Sequence, residues 1–271
     1  MSISTEKKAT RVVQISDCHL FKDTEGKLLG INTQSSFELV MALVRAEQKE
    51  IDIFLCTGDL SQDSSPEAYQ RFHNAITAFG KPAYWLPGNH DVVSVMQGVL
   101  KDKSKLSPCV IELESWHIIM LDTSIRNKVP GRLEKDQLDF LDASLAAAAS
   151  KGKHVMVCLH HHPIPINSQW LDGVALENPQ DFFAIIDRYK QVKSIVWGHV
   201  HQEFDGTRNN VRMLSLPSTC AQFKPLSDEF AADDKSPGYR WFDLNADGSI
   251  VTGVSRVVGV TFEVDYSVKG Y

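Results

Sequence analysis

The sequence predicts an α/β protein built on a large mixed β-sheet system. Three observations lead there. Short β-rich runs alternate with amphipathic helical stretches, the C-terminal part is strand-rich, and five strand-like runs end in residues able to bind metal or phosphate.

In chain order, Arg11–Ser16 reads as the first strand and the stretch Thr33–Glu50 as the first helix. Ile51–Thr57 and Ala83–Leu86 follow as strands, with a helical pattern over Glu67–Phe79 between them. Val110–Leu113 and Trp116–Leu121 are the next two strand-like runs. The stretch Leu133–Ala149 is helical because Leu133, Leu138, Leu141 and Leu145 fall on one face and the alanines Ala146–Ala149 have high helix propensity. His154–Leu159 and Val192–Trp197 are strand-like and flank a helical pattern at Pro179–Tyr189. Val211–Leu216, Arg240–Leu244 and Ser249–Val258 add strands, the last two joined by a plausible hairpin turn at Asp247-Gly248. The polar, acidic stretch Ser227–Pro237 reads as a surface loop. With no internal repeat and no low-complexity linker, the economical reading is one domain over 1–271. Residues 1–10 form a polar N-terminal extension, and about 211–271 form the strand-rich end of the same domain.

Composition narrows the function. The chain has 271 residues, 43% hydrophobic and 23% charged, with 28 Lys+Arg against 34 Asp+Glu for a net charge of −6. Such a chain can bury a sizeable core, and its hydrophobic share excludes a disordered tail protein. Five cysteines, Cys18, Cys56, Cys109, Cys158 and Cys220, are widely spaced without a C-x-x-C pair, which suits structural thiols rather than a disulfide scaffold. No apolar run approaches the ~18 residues of a membrane span, and the N-terminus shows no secretory pattern. The cytoplasm is therefore the expected compartment, with no membrane partner. An acidic balance without a Lys/Arg block argues against a nucleic-acid polymer. Nothing marks an interface, so the oligomeric state stays open.

The chemistry collects at strand ends. Asp17-Cys18-His19, Asp59, Asn89-His90-Asp91, His160-His161-His162 and His199-Val200-His201 each follow a strand-like run, and seven of the ten histidines lie there. Ligands of open α/β sheets bind outside the carboxyl ends of the strands, so five such endings on one sheet would surround one cleft. In extended backbone residues i and i+2 point to the same side, so Asp17 and His19 face together with Cys18 turned away, and His199 and His201 face together with Val200 turned away. His73, His117 and His154 read as surface or structural side chains. Imidazole and carboxylate donors without thiolates suit Fe, Mn, Co or Zn, and six or more donors suit two divalent ions better than one. Two dications against Asp17 and Asp59 would leave a pole near +2, attractive to a phosphate anion.

Asp17-x-His19, Gly58-Asp59, Gly88-Asn89-His90-Asp91, His160 and Gly198-His199-x-His201 together resemble the calcineurin-like metallophosphoesterase signature, complete and in order. The resemblance implies a four-layer α/β-β/α sandwich with a dinuclear centre. It places Asp17, His19 and His201 on one metal, Asn89, His160 and His199 on the other, and Asp59 between them. His90 would be catalytic and oriented by Asp91, with helix N-terminal stabilisation as an equal alternative for Asp91. His19, Asp59, Asn89, His90, His160 and His201 would also face the substrate. Among the three adjacent histidines, His160 is preferred as ligand and the others as groups around it.

A narrower resemblance covers nearly the whole chain. Leu29–Thr33, Gly58–Asp63, His160–Pro165, Trp170-Leu171-Asp172, Pro217–Pro225 and the closing Gly270-Tyr271 are similar to bacterial class III 3′,5′-cyclic AMP phosphodiesterases. The implied reaction is metal-dependent hydrolysis of 3′,5′-cyclic AMP to 5′-AMP, with Fe or Mn as the expected metals and His90 assisting the leaving 3′-oxygen. Two alternatives stay open: a metallophosphoesterase acting on another ester, and a non-catalytic calcineurin-like scaffold. Trp170, Phe223 and Lys224 could meet the base, although the two aromatics more readily fill a small core of their own loop.

Overall fold

The computed structural model describes residues 9–270. Most of the polar extension expected at 1–10, and Tyr271, lie outside the described residues.

The chain begins with β1 (Thr10–Ile15), then a short hairpin of β2 (Lys27–Leu28) and β3 (Ile31–Asn32) leading into α1 (Thr33–Glu47). β4 (Ile53–Thr57), α2 (Pro66–Thr77), β5 (Ala83–Leu86) and α3 (Val93–Val99) follow. Next come β6 (Cys109–Glu112), β7 (Trp116–Met120), α4 (Lys135–Ser150), β8 (His154–Cys158), α5 (Gln169–Asp172), α6 (Pro179–Ile186) and β9 (Val192–Trp197). The C-terminal part contributes β10 (Phe204–Arg208), β11 (Val211–Ser215), β12 (Gln222–Phe223), β13 (Ala232–Asp233), β14 (Gly238–Leu244) and β15 (Ile250–Arg256).

Two mixed sheets result. The five-stranded sheet has the order β15-β14-β1-β4-β5 and the six-stranded sheet the order β10-β11-β9-β8-β7-β6. Each has a parallel centre: β1, β4 and β5 in one, β7, β8, β9 and β11 in the other. The ligand-bearing strand ends, expected on one sheet, therefore fall on two, with β1, β4 and β5 facing β8 and β9.

Alternation along the strands explains the layering. Val12, Leu55, Ile118, Met156 and Val196 share one core between the sheets. Their neighbours Val13 and Phe54 pack outward against Phe37 and Val40 of α1 and Phe72 of α2. Ile119, Val155, Val157 and Ile195 pack on the other outer face against Leu141 and Leu145 of α4 and Phe182 of α6. Strands covered on both faces are apolar at successive positions, and the layers are helix, sheet, sheet, helix.

Local signals fix several boundaries. The Asn32 side chain caps α1 by accepting from Ser35 N at 2.8 Å, and Ser65 followed by Pro66 starts α2. Helix α1, expected to reach Glu50, stops at Glu47. Gln48 turns extended there, and its amide is held between Arg11 and the Tyr239 hydroxyl. The expected turn at Asp247-Gly248 joins β14 to β15, with Gly248 at φ +87°. The stretch Ser227–Pro237 is less irregular than expected, since Ala232–Asp233 pairs with Gln222–Phe223. Among the described residues, no helix is long and apolar enough to cross a membrane.

Candidate metal centre

The carboxyl ends of β1, β4, β5, β8 and β9 meet where the sheets face one another. Carboxylate and ring-nitrogen atoms gather in overlapping groups within 4.8 Å: Asp17 with His19 and His201, Asp17 with Asp59 and His160, His19 with Asp59 and His90, and His160 with His161 and His199. All of these residues are buried except His90, which is half-buried.

The backbone here is not extended, contrary to the alternation argument. Asp17, His19, Asp59, His199 and His201 all have positive φ, between 46° and 67°. L-residues adopt that region only where the surroundings enforce it. Backbone bonds between the ligand loops supply the enforcement, with Asp17 N donating to Gly58 O and His19 N to Asp59 O, both at 2.9 Å. Asp17 and His19 do converge, and Cys18 turns into the apolar layer under α1, as expected. His199 and His201 instead part company, one toward His160 and the other toward Asp17 and His19. Gly58, at φ +93°, allows close approach: a Cβ there would sit 2.4 Å from His160 Nδ1.

Hydrogen bonds on the far side of each ring determine what the near side offers. His160 Nδ1 donates to Thr57 O (2.7 Å), His201 Nδ1 to Ala221 O (2.8 Å) and His19 Nδ1 to Gln62 Oε1 (2.5 Å). A ring whose Nδ1 carries the proton in this way presents Nε2 as an acceptor whenever it is neutral. His19 Nε2 and His201 Nε2 stand 3.1 Å apart, and His160 Nε2 lies 3.3 Å from Asn89 Oδ1 and 3.2 Å from Asp59 Oδ2. Lone pairs thus converge on common points. Asp17 Oδ2, Asp59 Oδ2 and both ring nitrogens of His199 are buried without a hydrogen-bond partner. An isolated polar atom in that state is costly, so the set fits bound cations, and its N/O donors suit divalent ions.

Electrostatics agree. Burial would raise the Asp17 and Asp59 carboxyls, but His201 beside Asp17 and His160 and His90 beside Asp59 hold them below the usual range. Burial pushes His19 down to about 3 despite Asp59, and burial with neighbouring imidazoles pushes His199 well down. Those rings are neutral, the form that binds metal. His160 is the exception. Burial opposes its charge, but Asp59 and Asp17 prevail and raise it to about 9.

The adjacent histidines separate cleanly. His161 spends both nitrogens elsewhere, on Thr123 Oγ1 (2.7 Å) and Val129 O (2.9 Å). His162 lies with Nε2 3.4 Å from Asp172 Oδ1 and its ring stacked on His199. Only His160 directs a nitrogen at Asp59 and Asn89. His90 sits at the mouth, edge-on to His19 with centroids 4.9 Å apart, and its backbone N–H donates to Asp59 Oδ1 at 2.9 Å. The Asp91 carboxylate accepts from Gly88 N and the Tyr69 hydroxyl at 2.9 Å, and from Leu60 N at 3.2 Å. It ties together the loops that carry Asp59, Asn89 and His90. Burial and the Asp59 charge raise this carboxyl to about 6.

Gln62, Tyr69 and Thr57 act here without having been singled out as individual residues. Gln62 alone left a trace, inside the segment Gly58–Asp63. Of the aromatic candidates for the base, Phe223 is 1% exposed and stacks on His201 with centroids 4.2 Å apart, so it backs a ligand ring. Trp170 packs edge-on against Phe223 and Phe230, and Lys224 is exposed.

With helices outside two facing sheets and a donor cluster at their carboxyl ends, the protein is of the dinuclear metallohydrolase class. A family model described as calcineurin-like phosphoesterase matches residues 10–203, and the chain belongs to that family. It is 44% identical over 260 residues to the 3′,5′-cyclic adenosine monophosphate phosphodiesterase CpdA of Pseudomonas aeruginosa, covering 96% of this chain and 94% of that protein. The Escherichia coli (strain K12) protein of the same name is 40% identical over 263 residues, covering 96% and 94%. A dimetal phosphatase from Danio rerio superposes with a TM-score of 0.64 at 15% identity, covering 95% of this chain and all of that one, a likeness of fold.

Proposed function

We propose that this chain hydrolyses 3′,5′-cyclic AMP to 5′-AMP at a dinuclear centre. The observation that carries the reading is likeness over nearly the full length to relatives bearing that activity in their names, at 40% and 44% identity. Asp17, His19 and His201 would hold one ion and Asn89, His160 and His199 the other, with Asp59 available to both; Fe or Mn suits this donor set. Bound ions supply an acidified water nucleophile and offset charge on the phosphoryl oxygens.

The remaining work falls to side chains. The same cluster that binds the ions orients the cyclic phosphodiester, with Asn89 and His90 at its open edge. His90 supplies a proton to the departing 3′-oxygen, which otherwise leaves as a poor alkoxide. Asp91 positions His90 through the backbone it braces. Strands β14 and β15 complete the first sheet and β11 extends the second, which supports reading the described chain as one domain. Five buried, unpaired cysteines suit the reducing cytoplasm.

The test is kcat/KM of Fe- or Mn-loaded protein on 3′,5′-cyclic AMP, following 5′-AMP by chromatography. A value of ~10⁴ M⁻¹s⁻¹ or more, above that for cyclic GMP and nitrophenyl esters, supports the proposal. Cleavage of nitrophenyl esters with cyclic AMP left intact refutes the substrate assignment and retains the metal centre.

A further inference from the structure

We infer that the nucleoside of the substrate lies in the cavity beside His90 and that Arg126 covers its base. The inference rests on the cyclic-nucleotide reading above and names the residue that reads the nucleoside. The phosphate must meet the acceptors between the sheets, so the ribose and base extend through an open side. A cavity of about 510 Å³ adjoins the centre there. Asn89 and His90 line it on the side of the centre, Val92 gives it an apolar surface, and Arg126 and Asn127 come from the loop between β7 and α4. Its volume falls within the range of small-molecule sites. Val92 is 42% exposed, a large apolar side chain left uncovered next to a polar centre.

Arg126 stands apart from the other arginines. Nine of the ten arginines are engaged. Arg11, Arg132, Arg188, Arg208, Arg212 and Arg256 face carboxylates. Arg71 and Arg240 bond amide or carbonyl oxygens, and Arg45 lies over Phe79. Among the described residues, Arg126 has no such partner, and it is exposed along the cavity.

The loop that presents it is braced. Lys128 N donates to Ile125 O at 3.0 Å, closing a turn with Arg126 and Asn127 at its centre and Asn127 at φ 60°. His161 secures both shoulders of this turn through Thr123 and Val129. The residue after a ligand thus fixes where the guanidinium is offered. Phosphate charge is met at the centre, whereas this cavity pairs an apolar surface with a planar cation. That combination fits a flat aromatic base, apolar on its faces and able to attract a guanidinium over its ring.

The experiment compares cyclic AMP with abasic ribose 3′,5′-cyclic phosphate, which keeps the reacting ring and lacks the base. Arg126→Ala should raise KM for cyclic AMP about 3–30-fold, the range of a desolvated cation–π contact, with little change in kcat. The ratio of kcat/KM for cyclic AMP to that for the abasic ester falls by the same factor, and Arg126→Lys recovers only part of it. Equal losses on both esters would mean that Arg126 serves the phosphate, and overturn the inference. A wild-type enzyme that cleaves both esters equally well also overturns it. Wild-type protein inert toward cyclic AMP, yet active on other phosphoesters, refutes the underlying substrate reading without any variant.

Discussion

A metal-free centre at neutral pH should hold a proton where an ion belongs, and that proton can be counted. His160 is wholly buried, its Nε2 3.2 Å from Asp59 Oδ2 and its Nδ1 committed to Thr57 O. Burial disfavours its charge, but the two carboxylates prevail and raise it to about 9. A metal ligand must be neutral imidazole, so binding at pH 7 displaces this proton. The two units between 7 and about 9 correspond to ~3 kcal/mol, or ~100-fold in apparent affinity. Affinity for the ion at His160 should therefore tighten ~10-fold per pH unit from 7 and level off above about 9. Calorimetric titration with Mn in buffers of different ionisation enthalpy should detect about one proton released per chain at pH 7. The same shift makes the metal-free fold pH-dependent. A folded pKa raised above the unfolded ~6.5 contributes ~3 kcal/mol, present below pH ~6.5 and lost as pH rises toward 9. No proton release at pH 7, with affinity flat to pH 9, would refute the placement of His160 between the carboxylates.

Other expectations follow from particular contacts. Asp59→Ala removes an oxygen shared by both halves of the cluster, so elemental analysis should find fewer than two ions per chain and turnover should vanish; near wild-type activity would sink the bridging assignment. His90→Ala should retain its metals and lose ~10²–10⁴ in kcat, and a metal-free variant would make His90 a ligand instead. Gln62→Leu leaves His19 Nδ1 without its acceptor and should weaken metal binding ~10–100-fold in a chelator competition, while an unchanged affinity would make that contact incidental. Phe223→Ala opens a cavity behind His201 and should lower stability by ~3–5 kcal/mol in denaturant melts; a loss below 1 kcal/mol would contradict its packed position.

What the sequence disclosed was set by how local each signal is. The strands were legible because β-rich apolar runs such as Val155–Cys158 end abruptly in polar ligands. The division into two sheets was legible only through the resemblance of the ligand motifs, since strands in either sheet have the same two-faced apolar pattern and only long-range pairing separates them. Helix α3 was missed because Val93–Val99 carries valines and a glycine, and it is held by burial of Met96 rather than by propensity. β10 was missed because Phe204–Arg208 has little apolar content and pairs along the sheet edge. Motif spacing pointed to the ligands, whereas the extended-strand argument misjudged His199 and His201, because positive φ cannot be read from spacing. Arg126 left no signal at all: a lone loop arginine becomes informative only when its neighbours and its lack of a partner are visible.

The two aspartates show why this arrangement can be both strained and well defined. Asp17 Oδ1 accepts the N–H of His199 and Asp59 Oδ1 accepts the N–H of His90, each at 2.9 Å. The Oδ2 of each is buried without a hydrogen bond, that of Asp59 facing His160 Nε2 at 3.2 Å. One oxygen of each carboxylate therefore fixes a neighbouring ligand loop, and the other is left for an ion. Asp17 joins the end of β1 to the end of β9, so its bond crosses between the sheets and holds their carboxyl ends in register. An asparagine could keep the Oδ1 contact, but it would lose the charge and could place an N–H donor among converging acceptors. The loop geometry and the charge of the site thus rest on the same two side chains, and the positive φ angles persist because Asp17, His19, Asp59 and His199 are bonded to other ligand loops and His201 to the segment at Ala221.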